Sequence, residues 1–253
     1  MVFRHCIIGS KVYMGDSEHS QEENVPQTQI PQGPPPTAEE TLSGAGSSSS
    51  GAANNNDALA LPSIPPERVV KRFRDASLAA DLEESVQADP KSDHASHARS
   101  LNGFFTVLAL CHTVLAVVGQ ESNTIEYKAQ SPDEAALVQA AADVGFVFRG
   151  RDHETLILQT PFSDEPEKYE LLHILEFTSA RKRMSVVLRK LDGNDERLFL
   201  LTKGADNVIF ERLKSGGEEL KETVGQQLAA FASEGLRTLT LAYKIISSEL
   251  ISE

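Results

Sequence analysis

RMSVVLRKLDGNDERLFLLTK, residues 183–203, is the stretch that decides the fold. Two runs of large apolar and β-branched residues flank DGND at 192–195, a sequence suited to a tight turn, and RMSVVLR alternates with a period of two. The pattern predicts an antiparallel hairpin. Working outward, FVFRGR, ETLILQT and KYELLHILEF add three more strands upstream, and IEYKA adds a short one before them. Helical periods lie on either side. SLNGFFTVLALCHTVLAV predicts a buried helix, and SPDEAALVQAAADVG one stopped by Gly145. After the strands, ADNVIFERL and EELKETVGQQLAAFASEG are helical by spacing, the second ending at Gly235, and LRTLTLAYKII is a closing strand. Hairpin-linked strands bracketed by helices specify an α+β class, a mainly antiparallel sheet flanked by helices.

The 253-residue chain carries 24 basic and 37 acidic residues, a formal charge of −13. Such a balance argues against a general nucleic-acid or anionic-membrane surface, so an anionic ligand must meet a local basic patch. The two cysteines, Cys6 and Cys111, lie far apart and support neither a disulfide framework nor a cysteine zinc site. FFTVLALCHTVLAVV is shorter than the ~20 residues of a spanning helix and fits a buried helix instead.

Four segments follow from these shifts. Residues 1–13, VFRHCIIG and KVY about Gly9 and Ser10, predict a short strand pair too small to stand alone, which should complete a sheet elsewhere. Residues 14–66 hold eight of the twelve prolines, with SSSS and NNN, and no aromatic lies between Tyr13 and Phe73; that composition predicts a long disordered insertion. Residues 67–99 form a helical and polar connector in which ERVVKRFRDASLAADLEE is helical and DPKSDHASHAR is a break. Residues 100–253 form the compact domain.

Candidate chemistry lies in four stretches, each with a plain structural alternative. In SPDE, Ser131 and Glu134 satisfy the S-x-x-E capping box, which accounts for Glu134 without a ligand. In FTSARKRM, an aromatic Phe177 beside Lys182 offers a stacking face and a cation for a purine nucleotide, or a charge-protected edge strand. Lys203 ends an apolar strand, and Gly204 would let a ligand approach the backbone there, or the pair is a simple strand-to-helix turn. Arg237 begins the last strand, either facing a cleft or forming a sheet-end salt bridge. Asp93, His94 and His97 have zinc-like spacing but a polar setting that reads as solvated, and His112 reads as a packed histidine with a local hydrogen bond. No Walker loop, GxGxxG, HExxH or GxSxG occurs.

Taken together, QSPDEAAL, FTSARKRMSVV, KGAD and EGLRTLTLAYK, in that order and spacing, resemble the nucleotide-binding domain of type IV P-type ATPases, the phospholipid-transporting flippases. The resemblance runs from about Ser100 to Glu253, and a low-complexity insertion at 14–66 suits a fungal member. It implies that ATP is the ligand: Glu134 meets the adenine side, Phe177 stacks on the base, Lys182 sits beside the nucleotide, Lys203 lines the pocket beneath the adenine, and Arg237 meets the phosphates. Arg181 and Arg183 remain surface charge. The resemblance also implies a parent enzyme at the cytosolic face of a membrane, with phosphorylation and actuator domains, magnesium, a phospholipid substrate and an accessory subunit. D-K-T-G and any membrane helix are absent from these residues, so the expectation is an ATP-binding fragment with no catalytic or metal-binding residue of its own. The second reading is a non-catalytic protein-interaction module with a vestigial pocket.

Overall fold

The computed structural model describes residues 1–15, 71–89, 94–119, 124–191 and 197–246. The DGND turn and all of the expected insertion beyond its first two residues, Met14 and Gly15, fall outside them.

A six-stranded sheet, antiparallel throughout, forms the centre. Its strands are β5 (Val147–Asp152), β6 (Thr155–Gln159), β7 (Glu167–Leu175), β8 (Arg183–Lys190), β9 (Leu198–Gly204) and β10 (Thr240–Ile246), in the order β10-β9-β8-β7-β6-β5. The period-two pattern places Met184, Val186 and Leu188 of β8 on one face, opposite Lys203, Leu201 and Phe199 of β9. On that face Val186 and Leu188 are fully buried, each such burial contributing about 1.5–3 kcal/mol.

Covering this face is α2 (His94–Leu110), which meets strands at both ends of the sheet. Leu101, Phe105, Leu108 and Leu110 are all buried, so the helix is apolar on most sides because it has neighbours on most sides. Gly103 is needed in its interior: a Cβ there would lie 2.7 Å from the ring of Tyr243 on β10. Beside α2 packs α3 (Pro132–Asp143), whose Val138 and Ala141 are buried. It stops at Gly145, φ +98°, where Phe146 N–H returns to the Ala141 carbonyl at 2.9 Å.

The expected helix over 100–117 ends early. After Leu110 the chain bends and becomes β3 (Leu115–Val118), paired with β4 (Ile125–Lys128) in a separate two-stranded sheet. His112 makes the bend. One ring nitrogen, Nε2, donates to the Ala109 carbonyl at 2.6 Å, and the other, Nδ1, accepts from Val114 N–H at 3.1 Å. That pairing requires the neutral ring, and burial pushes its pKa down to about 4. The packed-histidine expectation therefore agrees with the geometry, while the β-branched residues that follow take the strand conformation.

At the other end of α2, the anticipated polar break is already helical from His94. His97 is not simply solvated, because its Nε2 lies 2.9 Å from the Tyr13 hydroxyl. The first strand pair, β1 (His5–Ile8) and β2 (Lys11–Met14), turns at Gly9 and Ser10 as its sequence indicates, and among the described residues it pairs with no other strand. It buries Cys6, Ile8 and Tyr13 against helices instead. Burial pushes the Cys6 thiol up to about 12.

Helix α1 (Ala76–Gln87) carries Asp81, which binds both the Tyr13 hydroxyl and the Lys11 ammonium at 2.5 Å. Asp75 caps α1 through Leu78 N–H at 2.7 Å and accepts Met14 N–H on its other oxygen at 2.8 Å. Gly15 then meets Phe73 so closely that a Cβ would stand 2.7 Å from the ring. The later helices are α4 (Asp206–Phe210), shorter than its sequence spacing indicates, and α5 (Glu218–Ser233).

Gly204 marks the tightest strand approach. It pairs with Arg183, and a Cβ would lie 2.6 Å from both the Lys182 carbonyl oxygen and the Arg183 Cβ. The direction a Cβ would take is filled by the neighbouring strand, while the glycine itself lines the large groove at this sheet end.

Two measurements test this account. Gly204→Ala should lower stability by about 1–3 kcal/mol through overpacking, read as a fall in the urea midpoint. His112 stays neutral in the fold, so below pH 6.5 the unfolded chain takes up a proton that the folded chain refuses, and stability falls with pH down to about 4. His112→Asn should reduce the loss between pH 7 and pH 5 by about 2 kcal/mol relative to the unsubstituted chain.

Candidate functional site

The sheet end where β8 begins and β9 stops faces the N-terminus of α3. Between β7 and β8 the chain makes a self-bonded turn: Lys182 N–H donates to the Thr178 carbonyl at 2.7 Å, and Arg181 N–H to the Thr178 hydroxyl at 3.1 Å. The Arg181 guanidinium closes back on the Glu176 carbonyl at 2.9 Å. Lys182 has φ +50°, so it belongs to this turn rather than to an extended segment. Arg183 bonds the Arg181 carbonyl at 3.2 Å, so both flanking arginines serve the local backbone. The same turn holds Phe177 outward, 62% exposed.

Lys203 is the opposite case. It sits on the covered face of β9, paired with Met184 and Leu241 and only 8% exposed. A buried ammonium needs an anion, and Nζ meets Glu134 Oε1 at 2.7 Å. The other carboxylate oxygen, Oε2, accepts the Thr113 hydroxyl at 2.9 Å. Burial pushes the Glu134 carboxyl up, but the bond and charge of Lys203, with the Thr113 hydroxyl, outweigh it and hold the pKa below the usual carboxylate range. Nearby, burial pushes the Cys111 thiol up to about 12. It stays protonated and leaves Lys203 to Glu134.

This corrects the capping box. Ser131 occupies the N-cap position, yet its side chain makes no cap hydrogen bond, and Glu134 turns away from the helix end toward Lys203. Pro132 at the first helical position removes one orphan N–H and presets φ, so the helix starts without the reciprocal bonds.

Arg237 lies in the connection between α5 and β10, after Gly235 at φ +80°, and not in the strand itself. Its side chain is 75% exposed and pairs with the Asp133 carboxylate. Both outcomes open for this cation are met, since it pairs with Asp133 and lines the groove.

Glu134, Phe177, Lys182, Lys203 and Arg237 all line one groove of about 1660 Å³. Only Glu134 and Lys203 touch each other among the bonds described. Two participants escaped the sequence reading. Asp133 stood in view beside Glu134, and an acidic doublet at the second and third helix positions was the available signal. Thr113 gave none, because its partner is 21 residues away across a bend that periodicity does not mark. What the groove offers chemically is an outward aromatic face, an ionised carboxylate with both oxygens held, and cations along its rim. Among the described residues no helix is long and apolar enough to cross a membrane.

Comparison with known proteins gives these features a setting. The family described as P-type ATPase, cytoplasmic domain N, matches residues 100–253. The phospholipid-transporting ATPase dnf2 of Schizosaccharomyces pombe is 48% identical over 147 residues, covering 58% of this chain and 10% of that protein. Phospholipid-transporting ATPase 10 of Arabidopsis thaliana is 44% identical over 151 residues, 58% of this chain and 12% of its own length. The human phospholipid-transporting ATPase ID is 45% identical over 150 residues, 59% and 12%. The chain thus spans about a tenth of the length of these relatives. With more than half of its residues matched, and with the antiparallel sheet and flanking helices described above, the chain belongs to the P-type ATPase cytoplasmic N-domain family.

Proposed function

We propose that the groove binds ATP, and that the chain is the nucleotide-holding part of a P-type ATPase that moves phospholipid between membrane leaflets at the cytosolic face. One observation carries the proposal: Phe177, 62% exposed on a self-bonded turn, lines the same groove as the buried Lys203–Glu134 pair. An outward phenyl ring supplies a face for a purine, and an ionised carboxylate supplies an acceptor for its exocyclic amine. Lys203 is committed to Glu134 and stands beneath the base. Lys182 and Arg237, both exposed, are the cations free to move toward an anionic tail. To do so, Arg237 exchanges Asp133 for phosphate, a low-cost exchange because exposed pairs contribute about 0–1 kcal/mol.

At about 1660 Å³ the groove is larger than the ~300–1000 Å³ of ordinary small-molecule pockets, so its size admits a nucleotide and the chemistry of its lining does the selecting. The described residues gather no group of three or more His, Cys, Asp or Glu suited to a metal ion, so the magnesium that accompanies ATP is assigned no ligand here. Phosphoryl transfer needs the terminal phosphate, a metal and a nucleophile held together. We assign the nucleophile and metal to other domains of the parent chain, and to this part the capture of ATP without turnover.

Amide-shift titration of the 253-residue chain with ATP should give shifts clustered at 134, 177, 182 and 203. Affinity should be about millimolar to sub-millimolar, because partner-domain contacts are missing. Phe177→Ala should weaken binding about tenfold, loss of base stacking being of order 1–3 kcal/mol. Unchanged affinity in that variant, or no shifts at the groove, would refute the assignment.

A further inference from the structure

We infer that Thr113 is a positioning residue that sets the plane of the Glu134 carboxylate and so determines which purine edge the groove accepts. The inference rests on the nucleotide reading above and deepens it. A glutamate carboxylate rotates easily about its terminal bond, whose torsional profile is broad. Lys203 alone would pin one oxygen and leave that rotation open, since its ammonium is a swivelling point donor. The Thr113 hydroxyl pins the second oxygen from a different element, at 2.9 Å against 2.7 Å for Lys203. Two donors from different elements, one on each oxygen, fix a plane.

Thr113 is itself held firmly although its side chain is exposed. It lies between His112, whose ring bonds the Ala109 carbonyl, and Val114, whose N–H bonds the same ring, so the backbone on both sides is anchored in the core. The hydroxyl reaches Glu134 as a donor, and an ionised carboxylate is an acceptor only. With two of its roughly four lone-pair positions taken, it can still accept from a ligand but cannot donate to one. A base with an amino group at this edge is accepted, and one with an oxo group is turned away.

The test compares ATP with inosine triphosphate, which carries an oxo group in place of the amine, by amide-shift titration of the full chain. The unsubstituted chain should favour ATP about tenfold or more, the loss of one hydrogen bond to a charged group. Thr113→Val, nearly isosteric and at an exposed position, should shrink that ratio to within about threefold, chiefly by weakening ATP, and Thr113→Ser should restore it. A purely structural role would weaken both nucleotides equally and leave the ratio intact. A Thr113→Val variant with the parent ratio overturns the inference while leaving the nucleotide assignment standing. A parent chain that binds neither nucleotide overturns both, and one that binds the two equally overturns the base-edge role of Glu134 and of Thr113 with it.

Discussion

A lysine ammonium buried at the end of β9 must find an anion, and the arrangement of this domain's working end follows from that requirement. Leaving such a charge unpaired costs several kcal/mol, far more than any exposed pair contributes. Glu134 meets it from the first turn of α3, which ties the helix N-terminus to the sheet end. The helix gives up its capping box in exchange. Near that pair stand the turn bearing Phe177 and the connection bearing Arg237, each fixed by its own backbone bonds or glycine. The buried pair is doubly bonded and its neighbours are exposed, which under the proposed nucleotide reading gives a base end built in advance and a phosphate end able to rearrange.

The sheet was legible because strand periodicity is a local signal. RMSVVLR and ERLFLLTK alternate or run apolar over enough residues to declare a buried face, and the observed register of Met184 with Lys203 and Val186 with Leu201 follows from it. The end of α2 was not legible. LALCHTVLAV is apolar under either period, and the switch from helix to strand depends on His112 bonding both the helix end and the strand start. Composition cannot reveal where one ring will be clamped.

The candidate site was legible to a similar depth. Phe177, Lys182, Lys203 and Arg237 stand out as residue types in unusual settings, and the structure brings them to one groove. The role of Glu134 was ambiguous because S-x-x-E is a sufficient description of a helix start. Only the long-range position of Lys203 shows that the carboxylate leaves the helix end for a buried ammonium. Gly204 carries a requirement that sequence alone does not show: the place a Cβ would take is occupied by the Lys182 carbonyl and the Arg183 Cβ, while the residue still lines the groove.

The contact of Gly15 with Phe73, reinforced by Met14 N–H on Asp75, joins two points that are almost sixty positions apart in the chain. Closing a contact between points so distant in sequence costs entropy that rises only about 0.6 kcal/mol for each doubling of the intervening length. The pairing of the hairpin with the segment before α1 therefore tolerates wide variation in the length of chain that separates them.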